Sequence, residues 1–130
     1  MSIINKIATI KETNRLFPVF LKLEQMRVLI VGGGNVGLEK LNAVLYNSPA
    51  TKVKLVATTI SDEVKQFVSQ YPNLQLVERE YQKNDLDDVD VVIVAVNDRS
   101  ISEMVYADAK AQHKLVNVAD TPDLCDFYMG

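Results

Sequence analysis

The sequence predicts an α/β fold with a mostly parallel, doubly wound sheet and one strand added at its edge near the N-terminus. Two observations lead to this expectation. Short apolar runs alternate with segments of helical periodicity, and a glycine-rich turn separates the first central run from the first helix. The chain has 130 residues, 48% of them hydrophobic, which suits one core better than two. We therefore expect a single domain over residues 16–130, preceded by an N-terminal extension over residues 1–15.

The first central strand is predicted at residues 27–31, which are short and apolar and lead directly into the glycine-rich run at 32–37. Apolar residues then recur at helical spacing until Asn47-Ser48-Pro49, so a helix follows the turn. The apolar segment 16–21 lies only a short connection before this strand. That arrangement suits an added edge strand with Pro18 at its start.

The alternation continues to the C-terminus. Further strands are predicted at residues 53–57, 74–77, 89–96 and 114–118. The continuous β-branched run at 89–96 is typical of a parallel strand covered on both faces, so it should lie inside the sheet. One helix begins near Ser61 and ends before Tyr71-Pro72-Asn73. Another begins at Ser100, which has capping-box spacing to Glu103, and its inward residues should be Ile101, Met104, Val105 and Ala109.

Ligands of such sheets bind beyond the carboxyl ends of the strands. In the glycine-rich run, Gly32 would make the tight turn, and Gly34 would let the backbone approach a pyrophosphate at the helix N-terminus. Gly37 would let the helix and the sheet pack closely. This context indicates a Rossmann-like dinucleotide-binding fold, although glycine clusters also form ordinary turns between a strand and a helix. The remaining candidates at this edge are Asn35, Val36, Thr58, Thr59, Asn97 and Asp120.

The second strand lacks the usual ribose ligand of this fold. It ends at Ala57-Thr58-Thr59, with no Asp or Glu to hold both ribose hydroxyls and no adjacent Arg to hold a 2′-phosphate. The two threonines could contact the ribose weakly or could cap the helix that begins near Ser61. The residues alone therefore leave NAD and NADP undistinguished.

Composition excludes several other classes of function. The formal net charge is −3 and no long like-charged run occurs, so we expect no nucleic-acid partner. No apolar run is long enough to cross a bilayer, so no membrane partner is expected. Cys125 is the only cysteine, which excludes an internal disulfide or a multi-cysteine zinc site and fits a reducing cytoplasm. We expect Cys125 to be a packed thiol, His113 to end a helix, and no metal to be bound.

Three groups of residues together resemble the N-terminal part of siroheme synthase. The family includes precorrin-2 dehydrogenases, some of which also insert iron into sirohydrochlorin. The resemblance covers residues 16–130 and rests on Phe17 to Leu21, on Arg27 to Val36 with Lys40, and on Asn117 to Asp120 with Leu124 to Phe127.

The resemblance implies NAD-dependent oxidation of precorrin-2 to sirohydrochlorin in siroheme biosynthesis. Asp120 matches the catalytic aspartate of the family, although an aspartate after a strand can also simply organise a turn. Asn35 and Val36 match the pair whose backbone contacts NAD, and Thr58 and Thr59 match positions near the adenosine. By its position, Asn97 could contact the nicotinamide ribose.

The family's polypeptides continue past the segment that matches residues 125–130. They add a dimerisation region and a helical domain that complete the tetrapyrrole site. The resemblance therefore implies a homodimer at full length, with this chain a monomer or weak dimer and an incomplete enzyme. We expect Phe127 and Tyr128 to lose partners and to form an exposed apolar patch. The alternative is a regulatory NAD-sensing domain that binds nucleotide without chemistry.

Overall fold

One five-stranded parallel sheet forms the centre of the protein. The computed structural model describes residues 15–129. The strands are β1 (Arg27–Val31), β2 (Lys52–Ala57), β3 (Leu74–Glu78), β4 (Val91–Val94) and β5 (Leu115–Val118). They lie in the order β3-β2-β1-β4-β5, and each neighbouring pair is parallel. The chain moves outward from β1 first in one direction and then in the other, which confirms the doubly wound α/β prediction.

Helices cover both faces of this sheet. They are α1 (Asn35–Asn47), α2 (Asp62–Lys65), which tightens into a 3₁₀ turn over Gln66–Ser69, and α3 (Arg99–Ala111). On one face Ile30 packs in a core with Leu41 of α1. On the other, Leu29 packs in a core with Val105 of α3. Successive strand residues point to opposite faces, and both faces are covered here. The strands β1 and β4 are therefore apolar at consecutive positions.

The added edge strand is a wrong prediction. Residues 16–21 form no strand in the structure, and the side chains of Phe17 and Phe20 are exposed. Pro18 has no N–H to donate to a neighbouring strand. A short 3₁₀ turn at Leu23–Gln25 then leads into β1, whose two sides are already paired with β2 and β4. The sheet accordingly ends at β3 and β5.

The start of α3 also differs from the prediction. The helix is capped by Asp98, whose carboxylate accepts hydrogen bonds from the N–H groups of Ser100 and Ile101 at 2.9 and 3.2 Å. Ser100 therefore lies inside the helix, because an aspartate two residues earlier offers the first turn a charged acceptor. Of the four residues expected to face inward, Val105 and Ala109 are buried, whereas Ile101 and Met104 are largely exposed.

The C-terminal segment returns to the sheet. Phe127 is half-buried and packs against the core that contains α1, so the expectation that it loses its partners is wrong. The side-chain amide of Asn117 on β5 donates to the Phe127 carbonyl at 2.9 Å and fixes this segment. Tyr128 is exposed, as expected. The expected extension over residues 1–15 lies outside the described residues, apart from Arg15.

Candidate functional site

A cleft of about 680 Å³ opens at the carboxyl edge of the sheet. Its walls come from the glycine-rich turn after β1, the end of β2, the segment after β3, the end of β4 and the first turns of α3. The lining residues with predicted or inferred roles are Gly32, Gly34, Asn35, Val36, Thr58, Thr59, Glu80, Tyr81, Asn97, Ile101 and Met104. Seven of the eight residues expected to bind a dinucleotide therefore line one cavity, and the eighth, Gly37, lies behind it.

The glycines of the turn have distinct steric roles. Gly32 has a φ of +133°, and a Cβ there would lie 2.2 Å from the Ala95 carbonyl oxygen. A Cβ on Gly37 would lie 2.3 Å from the Gly32 carbonyl oxygen, so this residue lets α1 approach the turn. Around Gly34, by contrast, a Cβ would meet no atom of the described residues within 4 Å. The turn therefore leaves open space at the one glycine for which the sequence predicted a close approach of ligand.

Among residues 15–129, no side chain caps the N-terminus of α1. Its N-cap is Gly34, with no side-chain hydrogen bond and no acidic residue in the first turn. In contrast, Ser61 caps α2 and Asp98 caps α3. The first N–H groups of a helix need acceptors and carry the positive end of its dipole. An uncapped helix beneath an open glycine turn fits the pyrophosphate of a dinucleotide.

Gly33 is a residue that sequence reasoning passed over. A Cβ there would lie 2.5 Å from the Thr59 carbonyl oxygen, and the Ser61 N–H donates to the Gly33 carbonyl at 2.9 Å. Gly33 thus joins the glycine-rich turn to the loop that carries Thr58 and Thr59. Because Ser61 itself caps α2, accepting from the Val64 N–H at 3.3 Å, the two threonines are not its caps.

The segment after β3 supplies a wall that the sequence did not predict. Glu80 and Tyr81 line the cleft beside the end of β2. The Tyr81 hydroxyl donates to the Asp108 carboxylate on α3 at 3.0 Å. Burial, followed by this hydrogen bond, raises the pKa of Tyr81 well above its ordinary range, so the residue stays a neutral donor. Periodicity could not reveal this wall, because the segment lies in a polar loop.

Asp85 holds that wall in place. Its buried carboxylate accepts two hydrogen bonds from the Arg79 guanidinium at 2.7 and 2.9 Å and one from the Lys54 ammonium at 3.2 Å. The Gln82 N–H adds a fourth at 2.8 Å. Burial acts to raise the pKa of Asp85, but the hydrogen bonds from Arg79, Gln82 and Lys54 outweigh it and lower the pKa to about 2. The carboxylate is therefore ionised at neutral pH and joins the segment after β3 to β2.

Asp120 lies at the same edge of the sheet but in a different cavity. It follows β5, is exposed, and has a φ of +58°. The cavity it lines measures about 160 Å³ and, among the described residues, shares no lining residue with the cleft of about 680 Å³. Lys40 of α1 and Asn117 of β5 also line it. The structure thus brings the cofactor candidates together and places the predicted catalytic carboxylate beside them rather than among them.

Two polar groups accompany Asp120 in this cavity. The Lys40 side chain is only 18% exposed, so it is more enclosed than an ordinary solvated helix lysine. The amide oxygen of Asn117 is buried and has no hydrogen-bond partner in the part of the chain that the structure describes. A cation and an unpaired acceptor therefore lie near the Asp120 carboxylate, and sequence periodicity signalled neither.

The remaining chemically reactive side chains have structural surroundings. The Cys125 thiol is half-buried and donates to the Val118 carbonyl at 3.1 Å, as expected of a packed thiol. Within residues 15–129, no three or more His, Cys, Asp or Glu residues are grouped so that they could hold a metal ion. No helix in the described part of the chain is both long and apolar enough to cross a membrane.

The parallel sheet, the glycine turn and the open edge cleft define a dinucleotide-binding α/β domain. Comparison with known proteins agrees: the chain belongs to the putative NAD(P)-binding family, whose model matches residues 19–130.

The chain also resembles individual proteins. It is 40% identical over 111 residues to a siroheme synthase of Psychrobacter cryohalolentis, an alignment covering 85% of this chain and 21% of the relative. It is 33% identical over 112 residues to a siroheme synthase of Nitrosomonas europaea, covering 86% of this chain and 23% of the relative. Among solved structures, the precorrin-2 dehydrogenase SirC is similar, with a TM-score of 0.70 and 27% identity over 79% of this chain and 50% of SirC. The chain thus spans about a fifth of the first curated relatives it matches.

Proposed function

We propose that residues 16–130 form an NAD-binding domain. The observation that carries the proposal is the uncapped N-terminus of α1 beneath the open space at Gly34. The pyrophosphate would lie on the backbone amides of Asn35 and Val36. The adenosine would lie toward Thr58 and Thr59, and the nicotinamide ribose toward Asn97, since these positions lie on opposite sides of the glycine turn in the strand order.

We propose NAD rather than NADP as the cofactor. A 2′-phosphate is normally held by arginine or lysine. The described residues that line the cleft include neither arginine nor lysine. A doubly charged phosphate at the adenosine ribose would therefore lose its hydration without gaining a cation.

We further propose that the whole protein oxidises precorrin-2 to sirohydrochlorin and that Asp120 is its catalytic base. When bound, NAD supplies the hydride acceptor. The exposed Asp120 carboxylate can accept a proton from the macrocycle. The enclosed Lys40 ammonium can hold a substrate carboxylate in the same cavity. The cleft includes the end of β4 and the Asp120 cavity includes the end of β5, and these strands are neighbours in the sheet. The two openings are therefore close enough for one tetrapyrrole to cover both.

Titration of NAD and NADP against the purified chain tests the cofactor assignment. We expect saturable NAD binding by calorimetry and weaker NADP binding; absence of NAD binding would refute it. For catalysis, Asp120→Asn in the whole protein should abolish NADH formation from precorrin-2 while NAD affinity stays within about twofold. An equal loss of NADH formation and of NAD affinity would contradict a role for Asp120 in the chemical step.

An NAD-sensing domain without chemistry is the second candidate function. One observation favours it: Asp120 and the cleft share no lining residue. A sensor would bind NAD with unchanged affinity in the Asp120→Asn variant and would form no NADH even as the whole protein. Turnover of precorrin-2 by the whole protein would exclude this candidate.

The assembly and location also remain proposals. From the resemblance, we propose a cytoplasmic protein that is a homodimer at full length, with this chain alone a monomer or weak dimer. A tight dimer of this chain alone, measured by light scattering during size-exclusion chromatography at micromolar concentration, would contradict the proposal that it is a monomer or weak dimer.

A further inference from the structure

We propose that Glu80 selects NAD over NADP by binding the adenosine ribose hydroxyls, a task usually done by an acidic residue at the end of the second strand. The inference rests on the proposed NAD binding. In this chain β2 ends without such a residue. The cleft nevertheless contains one carboxylate, and it comes from the segment after the neighbouring strand β3.

The strand order places Glu80 at the adenosine end. Along the carboxyl edge, the segment after β3 is followed by the end of β2 with Thr58 and Thr59, and then by the glycine turn after β1. Parallel neighbours lie about 4.8 Å apart. A glutamate that follows β3 by two residues is therefore separated from the usual ribose position by a single strand spacing, which its side chain can span.

The backbone of Glu80 is fixed while its carboxylate is available. The Arg79 guanidinium donates to the Glu80 carbonyl at 2.9 Å and to the buried Asp85 carboxylate. Within residues 15–129, no hydrogen bond or ion pair is recorded for the Glu80 side chain, which is exposed. Because the backbone is already held, only the Glu80 side chain has to be ordered when it binds a diol.

The nearby Glu78 already has a different task. Its carboxylate accepts from the Ile60 N–H at 2.9 Å and lies 3.8 Å from the Lys65 ammonium. It thereby holds the loop between β2 and α2, and it does not line the cleft. Among the described residues that line the cleft, Glu80 is thus the one that is charged, and it would repel the additional phosphate of NADP.

Calorimetric titration of NAD and NADP against the chain and four variants tests the proposal. Glu80→Gln keeps the shape and removes the charge, and Glu80→Asp keeps the charge and shortens the reach. Glu39→Gln is the charge control, since Glu39 is exposed and lies outside the cleft; the change also removes its ion pair with Lys40, whose ammonium lies 3.9 Å from the Glu39 carboxylate. Gly34→Ala blocks the phosphate site and reports on binding in the cleft itself.

For Glu80→Gln we expect NAD to bind about tenfold more weakly, because a charged hydrogen bond to the ribose is lost. NADP should bind this variant more tightly than it binds the original chain, so the preference for NAD should fall by more than tenfold. Glu80→Asp should weaken NAD binding while NADP still binds poorly. Glu39→Gln should leave the affinities for NAD and NADP within about twofold of those of the original chain.

An unchanged NAD-to-NADP ratio in Glu80→Gln would overturn the role of Glu80 and leave the proposed NAD binding intact. If the original chain bound neither nucleotide, or if Gly34→Ala bound NAD normally, the proposed cleft function itself would fail. Thermal unfolding of the two Glu80 variants, monitored by circular dichroism, should match that of the original chain, because the Glu80 side chain makes no recorded hydrogen bond or ion pair in the described part of the fold.

Discussion

Replacing Asp85 with alanine should destabilise the protein by about 3 kcal/mol. The substitution removes four hydrogen bonds and leaves Arg79, Lys54 and the Gln82 N–H without their shared acceptor. Breaking a buried ion pair from one side usually costs about 3–5 kcal/mol. The lower end applies because the side chains of Arg79 and Lys54 are 37% and 26% exposed and can regain water.

Urea unfolding followed by circular dichroism measures this loss, and the melting temperature should fall by about 10 °C. Asp87→Ala is the matched control. Asp87 lies two residues away in the same loop, is exposed, and has no recorded side-chain partner among residues 15–129. Equal free energies of unfolding for the two variants would refute the assignment of Asp85 as the charge that holds this loop.

The same carboxylate makes a definite prediction about pH. The pKa of Asp85 is lowered from 3.8 to about 2 in the folded state. Its contribution is therefore fully present above pH 3.8 and is lost as the pH falls through about 2. The stability difference between the original chain and Asp85→Asn should shrink over that interval. A difference that stayed constant from pH 5 to pH 2 would contradict the lowered pKa.

Other substitutions separate the cleft from the fold. Gly34→Ala should cost less than about 1 kcal/mol of stability yet weaken NAD binding at least tenfold in calorimetry, since its Cβ enters the free space at the turn. Gly37→Ala should lower the free energy of unfolding by about 2 kcal/mol, because its Cβ meets the Gly32 carbonyl oxygen; urea unfolding equal to that of Gly34→Ala would count against this. Asp98→Ala should lower the free energy of unfolding by about 1 kcal/mol because it removes the cap of α3, and Ser100→Ala should lower it less. If urea titrations gave the reverse order, Ser100 would be the cap, as the sequence predicted.

The alternation of elements and the glycine turn were readable from the sequence because both depend on local spacing. Residues 27–31 form β1 with the predicted bounds, since a buried parallel strand must be apolar on both faces. The positive φ of Gly32 and the close approach of Gly37 to the Gly32 carbonyl are likewise local to the turn, whereas Gly33 excludes a Cβ because of the distant Thr59 carbonyl. Local signals failed where two of them competed: Asp98 and Ser100 both fit a helix cap, and Pro18 in an apolar run resembled an edge strand.

What the tertiary structure alone decided is which distant residues share an edge of the sheet. Glu80 and Tyr81 reach the cleft because β3 lies beside β2, and Asp120 lies in a separate cavity because β5 forms the opposite edge. Strand order follows from how the helices pack on the two faces, and no short window of sequence contains that information. The sequence by itself thus determined the glycine-rich turn between β1 and α1, and the folded sheet determined what surrounds it.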